Sequence, residues 1–256
     1  MKYTLVFLGT GTSQGVPVIG CGCVICKSKN KKDHRLRTSA LIKTDNCNIL
    51  LDIGPDFRAQ MLNSKNSKIN SILLTHQHRD HTAGLDDIRP IYYQHKKPIN
   101  LYAEDFVVKS IKNDFHYLFD NHQYPGKPKI NIHLIDNNPF FISDIQIFPI
   151  RVMHHKLPVF GYRIGELSYI TDANYISLEE KKKILGSKIL IINSLQKKPH
   201  ISHYNLEQSL ELIEELRPEK AYLTHISHEM GTYNEISKEL PKNVFLAYDN
   251  LEIPFY

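Results

Sequence analysis

Six consecutive residues, His76-Gln77-His78-Arg79-Asp80-His81, restrict this chain more than any other segment. They follow the apolar stretch Ile72-Leu73-Leu74-Thr75, so three imidazoles and a carboxylate are delivered at the end of a strand. Neutral imidazole nitrogen and carboxylate oxygen are the ligands that hold zinc, manganese or iron. In extended backbone alternate side chains share a side, so His76 and His78 reach one ion while the turn beyond aims Asp80 and His81 at a second. Two cations are implied, and they need ligands from elsewhere in the chain.

The order His-x-His-x-Asp-His after a strand ending in Leu-Thr resembles the metallo-β-lactamase superfamily. The resemblance implies an α/β (α+β) fold, a four-layer αββα sandwich with a two-metal site on one edge. It also implies further ligands in a fixed order: a histidine, an aspartate that bridges the metals, and a last histidine. The strand-like run 145–152 leads into Met153-His154-His155-Lys156-Leu157. His154, nearer the strand, is the preferred candidate, and His155 is the alternative. Tyr169-Ile170-Thr171-Asp172 ends in a carboxylate whose two oxygens can bridge a pair of cations, although alone it would read as a cap. Tyr222-Leu223-Thr224-His225 repeats the pattern of Leu73-Leu74-Thr75-His76. The expected assignment gives one ion His76, His78 and His154, and the other Asp80, His81 and His225, with Asp172 and a solvent oxygen between them. Such a pair lowers the pKa of a shared water and clamps the attacking and leaving oxygens of a displacement, so hydrolysis is expected. Every candidate sits at the end of a strand, which is how a rigid sheet assembles a site from distant residues.

Elsewhere the pattern is of short apolar runs divided by Gly, Asn, Asp and Pro. Strands are expected at 4–8, 39–43, 48–52, 69–75, 130–135, 145–152, 161–164, 169–171, 188–192 and 220–224. Helices are expected from near Asp56 and over 104–118, where Phe106, Val107, Ile111, Phe115 and Leu118 recur at helical spacing. Ser177 with Glu180 and Asn205 with Gln208 read as capping boxes. Two strand-rich segments, each followed by helices, suggest sheets packed face to face and flanked by helices. No repeat or low-complexity linker interrupts the 256 residues, and one domain over 1–256 is expected.

With 41% hydrophobic and 23% charged residues, the chain has the composition of a globular protein rather than a disordered one. Its net charge of +5 is spread over solvated runs and suits a small anionic substrate better than nucleic acid. The strand following Met1-Lys2 is too short for a secretory segment, and no apolar run approaches membrane-spanning length. A cytoplasmic protein with no membrane partner is expected, and a homodimer is the default oligomer.

Cys21-Gly22-Cys23-Val24-Ile25-Cys26 places three of the four cysteines in six positions. In a reducing compartment a thiolate zinc site is favoured over disulfides, and the loop from Cys21 to Cys23 is too tight for one. This structural zinc at 21–26 needs a fourth ligand, for which His228 is the candidate. Cys47 reads as a small buried apolar residue.

Further segments narrow the resemblance: Phe7-Leu8-Gly9-Thr10-Gly11-Thr12-Ser13-Gln14-Gly15-Val16-Pro17, the cysteine cluster, Arg35-Leu36-Arg37-Thr38-Ser39, Asp52-Ile53-Gly54-Pro55-Asp56-Phe57-Arg58, Gly84-Leu85-Asp86-Asp87-Ile88-Arg89-Pro90 and Gly161-Tyr162-Arg163-Ile164. Together they resemble the PhnP-type phosphodiesterases over nearly the whole chain, a type similar to the tRNase Z enzymes. The resemblance implies a dinuclear phosphodiesterase with two divalent metals, zinc or manganese. Its substrate would be a small cyclic or nucleotide-like phosphodiester of the phosphoribosyl 1,2-cyclic phosphate kind, attacked by metal-held hydroxide. It also points to His203, in Ser202-His203-Tyr204-Asn205, as a histidine that is not a ligand and donates a proton to the departing oxygen. Asp80 is expected to orient the attacking oxygen as well as to ligate. The alternatives are RNA 3′-processing of the tRNase Z kind, and a PqqB-like metal protein of cofactor synthesis. The loop Gly9-Thr10-Gly11-Thr12 lacks a full G-x-G-x-x-G and reads as a tight turn, with its N–H groups and Thr12 as candidate phosphate contacts. Arg35, Arg37 and Arg89 read first as structural ion pairs and second as anion ligands.

Overall fold

The computed structural model describes residues 3–120 and 126–256. Met1, Lys2 and residues 121–125 of the segment 113–129 lie outside them. The first half lays down β1 (Tyr3–Gly9), β2 (Ser39–Lys43), β3 (Asn48–Leu51), β4 (Ser71–Leu73), β5 (Ile99–Ala103) and β6 (Ile130–Leu134). The second adds β7 (Phe140–Ile142), β8 (Ile145–His154), β9 (Leu157–Ile164), β10 (Leu167–Ile170), β11 (Tyr175–Ile176), β12 (Ile189–Asn193), β13 (Lys220–Thr224) and β14 (Val244–Leu246). The last strand, β15 (Glu252–Phe255), returns to the first sheet beside β1. One sheet has seven strands in the order β15-β1-β2-β3-β4-β5-β6. The other has eight, in the order β11-β8-β9-β10-β12-β13-β14, with β7 on β8.

The period of two along each strand divides its side chains between layers. Leu5 and Phe7 of β1, Ile49 and Leu51 of β3, and Ile189 and Ile191 of β12 enter the core between the sheets. The alternate residues Val6, Leu8 and Leu50 pack against helices Phe57–Ser64 and Asp105–Asp114. Leu190 and Ile192 pack on the other flank, against helices Leu178–Ile184 and Leu206–Leu216. Strands buried on both faces read as unbroken apolar runs, as in Ile189-Leu190-Ile191-Ile192. The result is the expected αββα sandwich.

Several boundaries differ from expectation for identifiable reasons. The helix read over 104–118 breaks into Asp105–Asp114 and His116–Phe119, because Phe115 leaves the helical region at φ −119°. Strands β8 and β9 are longer than the apolar runs suggested, since they pair with each other from Ile147–Ile164 to His154–Leu157. The segment Pro158-Val159-Phe160 thus joins a hairpin rather than a loop. Asn205 and Gln208 form a complete capping box, whereas at Ser177 only half is made. There Glu180 turns away to accept from the Arg151 N–H and to pair with Lys183, which ties the helix to β8. Among the described residues no helix is long and apolar enough to cross a membrane.

Candidate metal centre

The segments carrying the candidate residues all end on one edge of the sandwich. After β4, Thr75 and His76 enter the site, and Gly54 lets the following turn close. A Cβ on Gly54 would lie 2.1 Å from the Asp80 carbonyl oxygen, so only glycine permits this approach. Three residues that follow strands, Asp52, Asp172 and His225, have φ of 59°, 55° and 55°. Left-handed backbone at a residue with a side chain costs roughly 1–2 kcal/mol, and it recurs where function demands a particular direction. Here it turns each side chain off its strand and into the site.

The donor atoms of His76, His78 and His154 lie within 4.8 Å of one another, as do those of Asp80, Asp172 and His225. His81 joins His76 and Asp172 in a third such group, so it stands between the two. Asp172 spans the halves: its Oδ2 is 3.2 Å from His81 Nε2 and its Oδ1 is 3.3 Å from His225 Nε2. Of the two neighbouring histidines, His154 is in the cluster, and His155 is exposed in the turn beyond β8. His78 is the exposed member and marks the open side.

Hydrogen bonds set which nitrogen each ring turns inward. His81 Nδ1 donates to Asp52 Oδ2 at 2.7 Å. The Thr75 hydroxyl gives its one proton to that same oxygen at 2.9 Å, and therefore accepts from His76 Nδ1 at 2.9 Å. The Thr38 hydroxyl donates to the Gly11 carbonyl at 2.7 Å, and so accepts from His225 Nδ1 at 3.1 Å. His154 Nδ1 donates to the Ser202 carbonyl at 2.9 Å. Four rings are thus held with Nδ1–H outward and the Nε2 lone pair inward, the arrangement that outer partners impose on ligating histidines. His76 Nε2 and His81 Nε2 are buried with no hydrogen-bond partner. Burial drives His76 well below the usual imidazole range, into the neutral form that ligates. These orphaned nitrogens, with the two oxygens of Asp172, fit divalent cations, and the donor set suits zinc, manganese or iron.

Asp52 went unnoticed in the sequence, where it was one residue of a longer motif. It accepts from the Thr75 backbone N–H at 2.8 Å as well as from two side chains, so one carboxylate orients both His76 and His81. Asp52→Asn is expected to weaken metal affinity about 10- to 100-fold, read by titration with a competing chelator. An unchanged affinity would deny it that role.

His203 stacks on His225 with ring centroids 4.8 Å apart, and its Nδ1 lies 3.8 Å from Asp172 Oδ1 with no hydrogen-bond partner. Burial pushes it down to about 3. Its ring also falls within the 4.8 Å group formed with His154 and Asp172.

The glycine loop is a tight turn, as expected. The N–H groups of Gly11, Thr12 and Gly15 are all spent on the carbonyls of Leu36, Ile226 and Thr12, while the Thr12 hydroxyl stays 3.3 Å from His225 Nε2. The three arginines are in structural contacts. Arg35 is buried and donates to Thr10 Oγ1 and the Ala247 carbonyl. Arg37 pairs with Asp56 at 2.8 Å, and Arg89 with Asp86 at 2.7 Å. Tyr162, within a motif whose purpose sequence left open, donates across the sandwich to the Leu74 carbonyl at 2.5 Å and braces the strand that carries His76.

The cysteine cluster forms a second centre. His228 Nδ1 lies 3.3 Å from Cys21 Sγ, 3.4 Å from Cys23 Sγ and 3.6 Å from Cys26 Sγ. Tetrahedral zinc with ordinary Zn–S and Zn–N bonds separates sulfur from nitrogen by about 3.6 Å, so the four donors fit such an ion. The Cys26 backbone N–H, then His228, draw the Cys23 thiol down to about 6, whereas burial pushes Cys26 up to about 11. One thiolate forms readily, and a full set of three calls for a cation to balance it. Cys23→Ser should reduce bound zinc by one per chain and lower the Tm; an unchanged count by elemental analysis would remove the site. Cys47 is buried in the core between the sheets, as expected of a small apolar residue.

Residues 47–226 match the β-lactamase superfamily domain. The crystal structure of a new diphosphatase from the PhnP family superposes with a TM-score of 0.94 at 35% identity, covering 100% of this chain and 98% of that one. An octanoyltransferase of Porphyromonas gingivalis is 39% identical over 250 residues, which are 96% of this chain and 50% of that protein. A ribonuclease Z of Methanococcus maripaludis is 30% identical over 170 residues, 63% of this chain and 48% of that protein. The chain thus spans about half the length of these curated relatives. Their fold implies divalent metals at the histidine-rich edge. The extent of the domain match and the near-complete overlap with the diphosphatase place this chain in the β-lactamase superfamily, among the metallo-β-lactamase-fold hydrolases of the PhnP family.

Proposed function

We propose that this protein is a dinuclear metal-dependent phosphodiesterase acting on a small cyclic or nucleotide-like phosphodiester, with phosphoribosyl 1,2-cyclic phosphate as the type of substrate. The observation that carries this reading is the set of four histidines held with Nε2 inward around the two oxygens of Asp172. His76, His78 and His154 would hold one divalent cation, zinc or manganese, and Asp80, His81 and His225 the other, with Asp172 able to serve both. When bound, such a pair acts as a Lewis acid toward phosphoryl oxygen and makes water acidic enough to attack near neutral pH.

The protein's own groups do the rest. Asp52 and Thr38 keep His81 and His225 in the ligating tautomer. Asp80, 3.3 Å from His81 Nε2 through its Oδ2, has a second oxygen with which to orient the nucleophile. His203 is neutral in the free site, because burial disfavours its charge. A phosphate anion placed beside it supplies the opposing charge that favours protonation, so the ring takes up a proton from solvent as the substrate binds and passes it to the departing oxygen.

The structural relative is described as a diphosphatase, a phosphorus-centred activity that supports attack at phosphorus here. A second reading, RNA 3′-processing, is favoured by the match to ribonuclease Z, though over part of each chain. The test is turnover of bis(p-nitrophenyl) phosphate, 2′,3′-cyclic AMP, a nucleoside diphosphate and precursor tRNA with added manganese or zinc. No diester turnover with either metal would overturn the proposal, and cleavage of precursor tRNA alone would replace it with the second reading.

A further inference from the structure

We propose that Asn174 is a positioning residue: it fastens the turn at 201–203 to the strand ends of the metal centre, and thereby sets where His203 stands. This rests on the reading of His203 as a working group of that centre. Asn174 lies two residues after Asp172, in none of the motifs that drew attention in the sequence. Its side-chain Oδ1 accepts from the His155 backbone N–H at 2.8 Å, and its Nδ2 donates to the Ile201 carbonyl at 3.2 Å. Its own backbone N–H donates to the Met153 carbonyl at 2.8 Å. One residue therefore joins three segments: the end of β8 that carries His154, the strand end that carries Asp172, and the turn that carries His203.

Two more bonds complete the latch. The Tyr204 N–H donates to the Ala173 carbonyl at 2.8 Å, and the Ser202 carbonyl receives His154 Nδ1 at 2.9 Å. Between Ile201 and Tyr204 the chain is thus held from both sides, and His203 is the side chain this leaves 3.8 Å from Asp172 Oδ1. His203 Nδ1 makes no hydrogen bond, and the ring rests against those of His225 and His154, contacts that leave its exact direction to the backbone. Its place therefore depends on the backbone, which Asn174 helps to hold at Ile201.

The side chain is specific. An amide both accepts and donates, which this bridge requires; a carboxylate of the same shape accepts from His155 but sets an oxygen against the Ile201 carbonyl. Asn174→Asp should therefore break one half of the latch, and Asn174→Ala both.

The deciding experiment is a double-mutant cycle between position 174 and position 203. Turnover of 2′,3′-cyclic AMP by the metal-loaded protein is measured for Asn174→Ala, Asn174→Asp, His203→Ala and each combination. Metal per chain and hydrogen–deuterium exchange of residues 200–204 are measured in parallel. Asn174→Ala is expected to lower kcat about 10- to 100-fold. Asn174→Asp should do so less, and both should retain wild-type metal content with faster exchange at 200–204. Neither should lower the rate further once His203 is alanine. A full additional loss on the His203→Ala background would overturn this inference while leaving His203's role intact. Wild-type turnover by His203→Ala would overturn both. Loss of bound metal in Asn174→Asp would also overturn it, assigning Asn174 to His154 instead.

Discussion

Asp172→Asn is expected to abolish most phosphodiester turnover, by more than the roughly 100-fold that follows loss of a group merely orienting a ligand. Asp172 is the one residue whose two oxygens face both halves of the site, 3.2 Å from His81 Nε2 and 3.3 Å from His225 Nε2. Although burial alone would raise it, its carboxyl lies well below the usual carboxylate range, in the charged form that a ligand to cations requires. Asparagine keeps the shape and removes the charge. It also tolerates the left-handed backbone at φ 55° better than other residues, so the strand end should stay in place. Elemental analysis should find fewer than two catalytic metals per chain, while the cysteine-bound zinc persists. Full metal content with full turnover would remove Asp172 from the centre.

The second large effect belongs to His203. His203→Ala is expected to slow hydrolysis of 2′,3′-cyclic AMP by roughly 10²- to 10⁴-fold, the range for loss of a general acid. Its effect on bis(p-nitrophenyl) phosphate should be much smaller, because p-nitrophenolate leaves without a proton and a sugar alkoxide does not. Metal content should be unchanged. A loss that is equal for both substrates and accompanied by loss of metal would make His203 a ligand, a role its closeness to His154 and Asp172 permits. The contrast between leaving groups separates proton donation from ligation, which the rate alone does not.

Much of the fold was legible because its signals are local. The unbroken apolar runs Leu5-Val6-Phe7-Leu8 and Ile189 to Ile192 follow from burial on two faces, and both became internal strands. The strand Ile99–Ala103, the short strands Phe140–Ile142 and Tyr175–Ile176 and the edge strands Val244–Leu246 and Glu252–Phe255 were not found. Runs this short carry too little period to stand out, and their pairing partners supply most of what makes them strands. The first half of strand Leu157–Ile164 was missed because Pro158 marks a break in isolation, yet it is tolerated opposite Met153 in the paired structure.

At the site, the run at 76–81 and the cysteine cluster stood out by their own chemistry, whereas His154, Asp172 and His225 were reached through the ligand order that the family resemblance implies. Imidazole, carboxylate and thiolate announce metals by their chemistry, and their positions at the ends of apolar runs need only local periodicity to read. The tertiary structure decided how those donors work. It selected His154 over His155, brought His228 to three sulfurs about two hundred positions away, and placed His81 between the two halves of the site. It also supplied the partners that set each tautomer: Asp52 for His81, Thr75 for His76, Thr38 for His225 and the Ser202 carbonyl for His154. Three of these four pairs span tens to hundreds of residues. A hydrogen bond depends on distance and direction to within a few tenths of an ångström. Only the packing of two sheets against each other fixes those quantities for residues so far apart in the chain.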